Sequence, residues 1–373
     1  TVTQMDSIAA QTSGVVTATI SNNDAATLTG LDEANHTLNI SVTDASVIAS
    51  ALNTIDAKTS VTVTATGVGT LTGAASDIVT AITATTIDTA TNVAVTVDSG
   101  TATVSQVNSI VGDTTGLITA GVSNTAIADY SSLAGTGNAL TVALADTTVA
   151  AAALNTLDGK TTVAVNAATV NTITGSAADA TTAYDSAGIS GLANEAVTLD
   201  DVTLAVATLN TLDGKTVGVV NAASVTSLSG SVATLNTAYA ANGAGTISNL
   251  GNEAVNIDGI PSQAVAALNT LNANTSGIVN AAAITTLAGS AANVNTAFDA
   301  GVAGEISGLG SELVTLDDTT LAVATLNTLD GKTSGAIDAA TINTLTGAAA
   351  AANTAYASGG ITGLANEAVT LDD

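Results

Sequence analysis

One phrase recurs along the whole chain and constrains the fold more than any other feature. It reads ALNTLDGKT from Ala153, and related copies follow it and precede it. The apolar residue that opens the core of each copy is Met5, Leu52, Val107, Leu154, Leu209, Leu268 or Leu326. A period of about 47 to 59 residues is typical of solenoids and tandem arrays, in which each unit contacts only its neighbours. The sequence therefore predicts a repeat protein rather than a set of independent globular domains.

The stretch from residue 196 shows the first half of one unit. Residues 196–200 alternate apolar and polar, which predicts a half-buried strand. Asp200 or Asp201 then stands where the N-cap of the next helix belongs. The following apolar residues step by three and four, the spacing of one helix face: Val202, Ala205, Leu209 and Leu212. Gly214 is expected to end this helix in the left-handed conformation, with Lys215 near the negative end of the helix dipole.

The second half of the unit repeats this plan. Residues 217–222 are expected to form a strand, and a second helical spacing follows in Val225, Leu228, Val232, Leu235 and Tyr239, interrupted by Gly230. Each unit is thus strand–helix–strand–helix. Strands that alternate with short helices in this way predict an α/β solenoid of the leucine-rich-repeat type. We expect a stacked parallel sheet on one side, helices on the other and right-handed connections.

The repeats differ in regularity along the chain. Residues 1–150 are divergent and richer in strands, for example at residues 61–65 and 92–97, whereas residues 151–373 repeat regularly. No linker separates the two parts, which predicts one continuous solenoid. The chain begins part-way through a unit and ends on Asp372 and Asp373, where the next helix is expected. This predicts a piece of a longer polypeptide, or a subunit that continues head-to-tail into another.

The composition excludes several classes of protein. The chain has 31 acidic residues, four lysines and no arginine, so its net charge is −27. Nucleic acids and anionic membrane surfaces repel such a chain, and no apolar run approaches the roughly 20 residues of a spanning helix. Without cysteine there is no disulfide and no thiolate metal site. Apolar residues make up 46% of the chain and the mean hydropathy is +0.47, which argues against disorder.

Three other residue types stand out. His36, the single histidine, lies in a polar stretch and is expected on the solvated surface, without a repeat equivalent. Lysine recurs at one repeat position, where it is expected to end a helix and to pair with acidic neighbours: Lys58, Lys160, Lys215 and Lys332, with Asn274 in the fourth copy. One aromatic ring recurs per unit, and we expect it to pack coil against coil: Tyr130, Tyr184, Tyr239, Phe298 and Tyr356. An exposed column of such rings would instead favour sugar binding.

Two columns of acidic residues recur as well. One contains Glu195, Glu253, Glu312 and Glu367, and the other contains Asp200, Asp201, Asp258, Asp317, Asp318, Asp372 and Asp373. Stacked carboxylates repel one another, so each needs a helix N-terminus, solvent or a cation. Helix capping is one interpretation. The other is a calcium site with Asp200, Asp201, Asp258, Asp317 and Asp318 as candidate ligands, although neither an EF-hand loop nor a glycine-rich calcium repeat is present.

Catalytic motifs are missing from the sequence. It contains no G-x-S-x-G elbow, P-loop or zinc motif in a convincing context. Acidic pairs that are identical in every unit differ from a single tuned acid–base site. The chain is therefore not expected to be an enzyme, and calcium is the one cofactor that stays open.

The unit LNTLDGKT, GVVNAASVTSLSG, NTAYA and GISGLANEAVTLDD resembles the repeats of long, acidic, cysteine-free cell-surface proteins of bacteria, notably marine cyanobacteria. Those proteins are adhesin-like or associated with S-layers. The resemblance covers about residues 150–373 well and the first third loosely. It implies an extracellular structural protein, a rod or filament segment that associates with itself end to end or laterally and contacts the cell envelope or another surface. An adhesin stalk that binds glycans and a calcium-dependent S-layer-type lattice stay open as alternatives.

Overall fold

The computed structural model describes residues 1–32 and 34–372. Within this part, short strands alternate with short helices. The helices are α1 (Val2–Ala9), α2 (Ala25–Leu28), α3 (Ala49–Asp56), α4 (Ala75–Ile82), α5 (Val104–Asp113), a 3-10 helix (Ile127–Ser132), α6 (Ala151–Asp158), α7 (Ala177–Asp185), α8 (Val206–Asp213), α9 (Val232–Ala244), α10 (Val265–Asn274), α11 (Ala291–Ala303), α12 (Val323–Asp330) and α13 (Ala349–Ala357). Among the described residues, none of these helices has the length and apolar character needed to cross a membrane.

The strands are all short. They are β1 (Thr17–Thr19), β2 (Thr37–Asn39), β3 (Ser46–Ile48), β4 (Val63–Ala65), β5 (Thr70–Ala74), β6 (Ile87–Thr89), β7 (Ala94–Ser99), β8 (Ile118–Gly121), β9 (Ala139–Thr141), β10 (Thr148–Ala150), β11 (Val165–Asn166), β12 (Thr172–Gly175), β13 (Ile189–Ser190), β14 (Ala196–Leu199), β15 (Thr203–Ala205), β16 (Val220–Asn221), β17 (Ser227–Gly230), β18 (Ile247–Ser248), β19 (Ala254–Ile257), β20 (Ser262–Ala264), β21 (Val279–Asn280), β22 (Thr286–Gly289), β23 (Ile306–Ser307), β24 (Leu313–Leu316), β25 (Thr320–Ala322), β26 (Ile337–Asp338), β27 (Thr344–Gly347), β28 (Ile361–Thr362) and β29 (Ala368–Leu371).

The chain divides into two compact units. The first unit consists of residues 1–171 and 182–192, and the second of residues 172–181 and the chain from residue 193 onward. Both are built from repeated strand–helix segments with parallel sheets, which confirms the predicted α/β class and is consistent with a repeat solenoid. In the first unit, the strand order of the largest sheet is β3-β5-β7-β8-β9, and β1-β2, β4-β6 and β11-β13 form pairs. The strands expected near residues 61–65 and 92–97 are β4 and β7.

In the second unit, paired strands are parallel and lie one coil apart along the chain. Leu204 pairs with Leu228, Leu228 with Val255, and Val255 with Val279. We call the chain between two such register partners a coil, and its length of about 25 residues is that of a leucine-rich repeat. Because the paired residues are apolar and buried, this register carries a continuous apolar core from coil to coil.

The pairing in the second unit is divided among several sheets rather than forming one. Sheets of order β15-β17-β19-β21-β23, β20-β22-β24-β26-β28 and β25-β27-β29 begin at residues 203, 262 and 320. Following the strand pairing through two coils leads from Leu204 to Val255. In the next copy of the sequence repeat, however, the residue equivalent to Leu204 is Gln263, which lies further along the chain. One sequence repeat is therefore longer than two coils. Each repeat starts further around the coil than the previous one, and a new sheet begins with it.

Two element boundaries differ from the sequence prediction. The apolar spacing predicts a helix from Val202, but Thr203–Ala205 is strand β15 and helix α8 begins at Val206. Val202 is exposed, and Leu204 is the buried residue. The second expected helix likewise divides into strand β17, Ser227–Gly230, and helix α9 from Val232. Two short strands, β16 and β17, thus precede α9, and three short strands, β18, β19 and β20, lie between α9 and α10.

The leucine pair of the recurring phrase is core, as predicted. Leu209 and Leu212 are both fully buried in α8, and the same holds for the equivalent pairs in α10 and α12. The glycine of the phrase does not have the expected left-handed conformation. Gly214 ends α8 with φ of −74°, because the chain continues in a right-handed bend after the helix. Left-handed glycines instead end the longer helices α9 and α11, at Gly245 and Gly304.

Candidate functional site

One repeat position places a polar side chain inside the protein directly before a strand. In the second unit this position holds Glu195, Glu253, Glu312 and Glu367, which precede β14, β19, β24 and β29. We call these four residues the glutamate column. Glu195, Glu253 and Glu312 are only 1%, 0% and 2% exposed. A buried carboxylate is costly unless hydrogen bonds satisfy it, so its partners decide what it does.

The Glu253 carboxylate accepts hydrogen bonds from two donors. The backbone N–H of Gly251 donates to both carboxylate oxygens, at 3.0 and 2.9 Å, and the Tyr239 hydroxyl donates to Oε2 at 3.1 Å. The Thr275 hydroxyl of the next coil donates to the Glu253 carbonyl at 3.0 Å. The side chain thus fixes the bend before β19 and holds the ring of Tyr239. This geometry is that of a structural residue.

The same arrangement recurs with small changes at the other buried members. Glu195 accepts a hydrogen bond from the N–H of Ala193, at 3.0 Å to Oε2. Glu312 accepts from the N–H groups of Gly310 and Ser311, at 2.7 and 3.1 Å. The aromatic residue of that repeat is Phe298, which has no hydroxyl to donate.

Hydrogen bonding and burial shift the pKa values of this pairing. Burial alone would raise the pKa of Glu367, but the hydrogen bond from the Tyr356 hydroxyl and those from nearby backbone N–H groups lower it overall. The same hydrogen bond raises the pKa of Tyr356 to about 12. Burial raises the pKa of Tyr130 to about 12, and that of Tyr239 still further. These tyrosines therefore stay protonated and act as donors at neutral pH.

The aromatic column is mostly core, as predicted. Tyr130, Tyr239 and Phe298 are 4%, 5% and 4% exposed, and Tyr184 is half-buried. Tyr356 is 47% exposed. The sequence shows both columns at matching steps but not that the hydroxyl of one binds the carboxylate of the other. The recurrence of a tyrosine and a glutamate together in three of these repeats, Tyr184 with Glu195, Tyr239 with Glu253 and Tyr356 with Glu367, is the signal that could have revealed this pairing.

The prediction for His36 was wrong. His36 is 7% exposed and lies directly before β2, the position that Asn138 occupies before β9. Its Nδ1 atom accepts the N–H of Val16 at 3.1 Å, and Asn138 Oδ1 accepts the N–H of Ile118 at 3.0 Å. In the first unit these side chains satisfy N–H groups of the preceding coil, so they are buried although they are polar. His36 thus has a repeat equivalent that sequence identity conceals.

Two of the strand-end aspartates, Asp201 and Asp318, cap helices, but not the helices that the sequence suggests. Asp201 Oδ2 accepts the N–H of Ala177, the first residue of α7, and Asp318 Oδ2 accepts that of Ala291 in α11, each at 2.7 Å. The helix after each aspartate begins behind an alanine without a side-chain cap. In the first unit, the same bond joins Asp44 to Ala25 and Asp146 to Ile127. The cap acts between coils because the aspartate lies beside the helix start of the previous coil.

The five calcium candidates are not gathered into a cluster. Asp200, Asp258 and Asp317 are exposed, while Asp201 and Asp318 bind helix N–H groups. Across residues 1–32 and 34–372, no group of three or more His, Asp or Glu side chains is close enough to hold a metal ion. Asp373 of the same column lies outside the described residues.

The asparagine of the recurring phrase also joins successive coils. Its Nδ2 donates to a backbone carbonyl of the adjacent helix 24 residues further on: Asn53 to Asp77, Asn210 to Thr234, Asn269 to Asn293 and Asn327 to Ala351, at 2.9 to 3.0 Å. The aspartate that follows accepts from a hydroxyl of the next coil, as in Asp158 with Ser186 and Asp330 with Ser358. Sequence reasoning missed these roles because the partners lie a whole coil away.

Lysine pairing is confirmed at Lys332, whose Nζ lies 2.6 Å from Asp299 Oδ1. Lys58 Nζ instead donates to the backbone carbonyl of Asp32 at 3.2 Å. Because Asp299 is exposed to solvent, the Lys332 pair contributes little to stability.

Two cavities of the first unit are lined mainly by uncharged side chains, and the His36 imidazole lines one of them. A groove of 690 Å³ lies between α1 and β1 and includes Gln4, Met5 and Ile20. A second cavity, of 280 Å³, is lined by His36, Thr12 and Ser13 among others. The lining side chains are mainly hydroxyl, amide and aliphatic groups.

Comparison of the chain with protein-family models, with curated proteins and with solved structures found no match. The geometry alone therefore bears on function. In it, the recurring asparagines and the aspartates Asp201 and Asp318 bind backbone groups of neighbouring coils, and the buried glutamates bind backbone N–H groups within their own bend.

Proposed function

We propose that this chain is an extracellular structural protein, a rod or filament segment of a large bacterial cell-surface or matrix assembly. Its units would wind as a right-handed α/β solenoid of the leucine-rich-repeat type. The proposal rests on one observation, the hydrogen bonds that the recurring polar side chains make between coils. The asparagine of the recurring phrase, the aspartates Asp201 and Asp318, and the threonine after the helix of each phrase, such as Thr275, make hydrogen bonds from one coil to the next. Hydrogen bonds between successive coils stabilise an extended array of repeats and do not assemble a single functional site.

The surface chemistry agrees with exposure to a salt solution. The net charge of −27 keeps copies soluble and reduces non-specific association, while small uncharged residues occupy the outward positions of the strands. We propose that the partner is another copy of the chain, joined end to end or laterally. The cell envelope or another surface would be the attachment point.

Electron microscopy of the native material tests this proposal. Long fibres with an axial repeat are the expected result, and isolated short particles at native concentration would contradict it. The aromatic column is mostly buried, which is why a structural role is preferred over an adhesin stalk that binds glycans. A calcium-dependent lattice predicts that assembly and melting temperature differ between excess chelator and millimolar calcium, whereas the proposed structural role predicts no difference.

A further inference from the structure

The fourth copy of the phrase is preceded by an exceptional segment. In the third and fifth copies, the four residues Asp201–Leu204 and Asp318–Leu321 lead into the helix. The fourth copy has five residues instead, Gly259-Ile260-Pro261-Ser262-Gln263. We call this stretch the Gly259 segment. It lies between α9 and α10 of the second unit.

The first loss at the Gly259 segment is a helix cap. Helix α11 has a cap from Ser290, whose hydroxyl accepts the N–H of Asn293, and a second from Asp318 of the next coil. Helix α9 keeps only the first kind, from Ser231 to the N–H of Thr234 at 3.2 Å. Gly259 has no side chain, and φ of +92° turns its backbone into the left-handed region. Among the described residues, no carboxylate bonds to the first N–H of α9.

The second loss is a core side chain. Leu204 and Leu321 fill the middle of β15 and β25 and are 7% and 8% exposed. Gln263 occupies this place in β20, opposite Leu287, and it is half-buried. Its Nε2 donates to the carbonyl of Ile260 within the same segment, at 2.7 Å. The amide therefore contributes no contact comparable to that of a leucine with the neighbouring coil.

The third loss lies in the same repeat, at Phe298. Phe298 lacks the hydroxyl that Tyr239 supplies to Glu253, and within the described part of the chain the donors to the buried Glu312 carboxylate are the backbone N–H groups of Gly310 and Ser311. Backbone contacts do persist, because the Pro261 carbonyl accepts the N–H of Thr285 at 2.8 Å, as the Val202 carbonyl accepts that of Thr226. The deficit is thus confined to side chains.

We infer that the Gly259 segment is a weak joint, at which the second unit opens before its other coils separate. In a repeat protein, stability is close to a sum of unit and interface contributions, so a local deficit localises the opening. In a filament under tension such a joint would yield first and limit damage to the neighbouring coils. This role of the joint in a filament rests on the proposed function, whereas the inference that the joint is weak does not.

Hydrogen exchange of the full chain, followed by mass spectrometry, tests this inference. Amides of β20 and of the first turn of α9 should exchange at least about tenfold faster than those of β15, β25 and the first turn of α11. The matched variant replaces residues 259–263 by the sequence of residues 201–204, which restores the aspartate and the leucine. In that variant the difference should disappear.

Equal exchange rates in the unaltered chain would overturn the inference, whether or not the variant folds. Fast exchange that persists in a folded variant would also overturn it, because the cause would then lie outside the segment. Short particles in the electron microscope would contradict the proposed function and leave the exchange result untouched.

Discussion

The carboxylate of Glu253 is stable in the interior because each of its oxygens accepts a hydrogen bond, one of them from the hydroxyl of Tyr239. The repeat that contains Phe298 lacks this hydroxyl, so the chain offers its own comparison. Removing a buried donor leaves the acceptor partly unsatisfied, and that costs more than a typical hydrogen bond contributes.

We therefore expect opposite effects from two exchanges of the same ring. Tyr239→Phe should lower the free energy of unfolding by about 1–2 kcal/mol, because Glu253 loses a donor. Phe298→Tyr should raise it by about 1 kcal/mol, because a hydroxyl becomes available to Glu312. Urea denaturation followed by circular dichroism measures both. Two changes of the same sign would contradict the pairing.

A second prediction at this scale concerns two glycines. A Cβ at Gly277 would lie 2.0 Å from the carbonyl oxygen of Glu253 in the preceding coil. Gly277→Ala should therefore destabilise the protein by about 3 kcal/mol, because backbone must move. Gly243 lies exposed in α9 with nothing within 4 Å of such a Cβ, so Gly243→Ala should stabilise by about 0.5–1 kcal/mol. Thermal melting of the two variants gives the signs, and a destabilising Gly243→Ala would count against the helix assignment.

Single residues were predictable from the sequence where their partners are close along the chain. Leu209 and Leu212 were identified as core because helix spacing alone reports their shared face. His36 and Asp201 were misjudged because their partners, Val16 and Ala177, lie 20 and 24 residues away. No local pattern reports a contact at that distance unless the coil length is already known.

At the scale of elements, the same limitation explains the boundary of α8. Residues 202, 205, 209 and 212 fit a helix face, yet a strand as short as Thr203–Ala205 cannot show its own alternation. The buried residue of β15 is Leu204, and its register partner Leu228 pairs with it across the sheet. Strand pairing with the next coil, rather than local preference, decides the conformation here.

The cap between coils leads to a prediction at the scale of elements. Asp318→Ala should lower the free energy of unfolding by about 1 kcal/mol, because the first N–H of α11 loses its acceptor. Asp318→Asn keeps an oxygen in reach and should cost less. Exposed Asp317 is the control, and Asp317→Ala should stay within about 0.5 kcal/mol of the unaltered chain. Equal losses for the two alanine variants would argue against the cap.

At the scale of the whole molecule, the repeat period predicted the fold class because it depends on every copy at once. It did not predict how the strands divide into sheets. That division arises because one sequence repeat is longer than two coils. The residue equivalent to Leu204 in the next repeat is Gln263, whereas strand pairing through two coils reaches only Val255. The length of a register step is a property of packed coils, and it becomes visible only when the strands are paired.

The tyrosines predict how the whole chain responds to alkaline pH. Burial, and at Tyr356 the bond to Glu367, raise the pKa of Tyr130 and Tyr356 to about 12 and that of Tyr239 further, whereas unfolded tyrosine titrates near 10. Between these values the folded chain holds protons that the unfolded chain releases, so the free energy of unfolding falls as pH rises. Stability should be unaffected by these groups below about pH 10 and decline from about pH 10 to 12.

Tyrosinate absorbance and circular dichroism, recorded along the same alkaline titration, check this expectation. The part of the tyrosinate signal that belongs to Tyr130 and Tyr239 should appear together with the loss of helical signal, because these buried hydroxyls ionise only when the coils separate. The variant Tyr239→Phe supplies the control: it removes the most strongly shifted group, so its stability should decline less steeply with pH above about 10 than that of the unaltered chain. Full ionisation near pH 10 in a chain that keeps its helices would show that the hydroxyls are not held by the core.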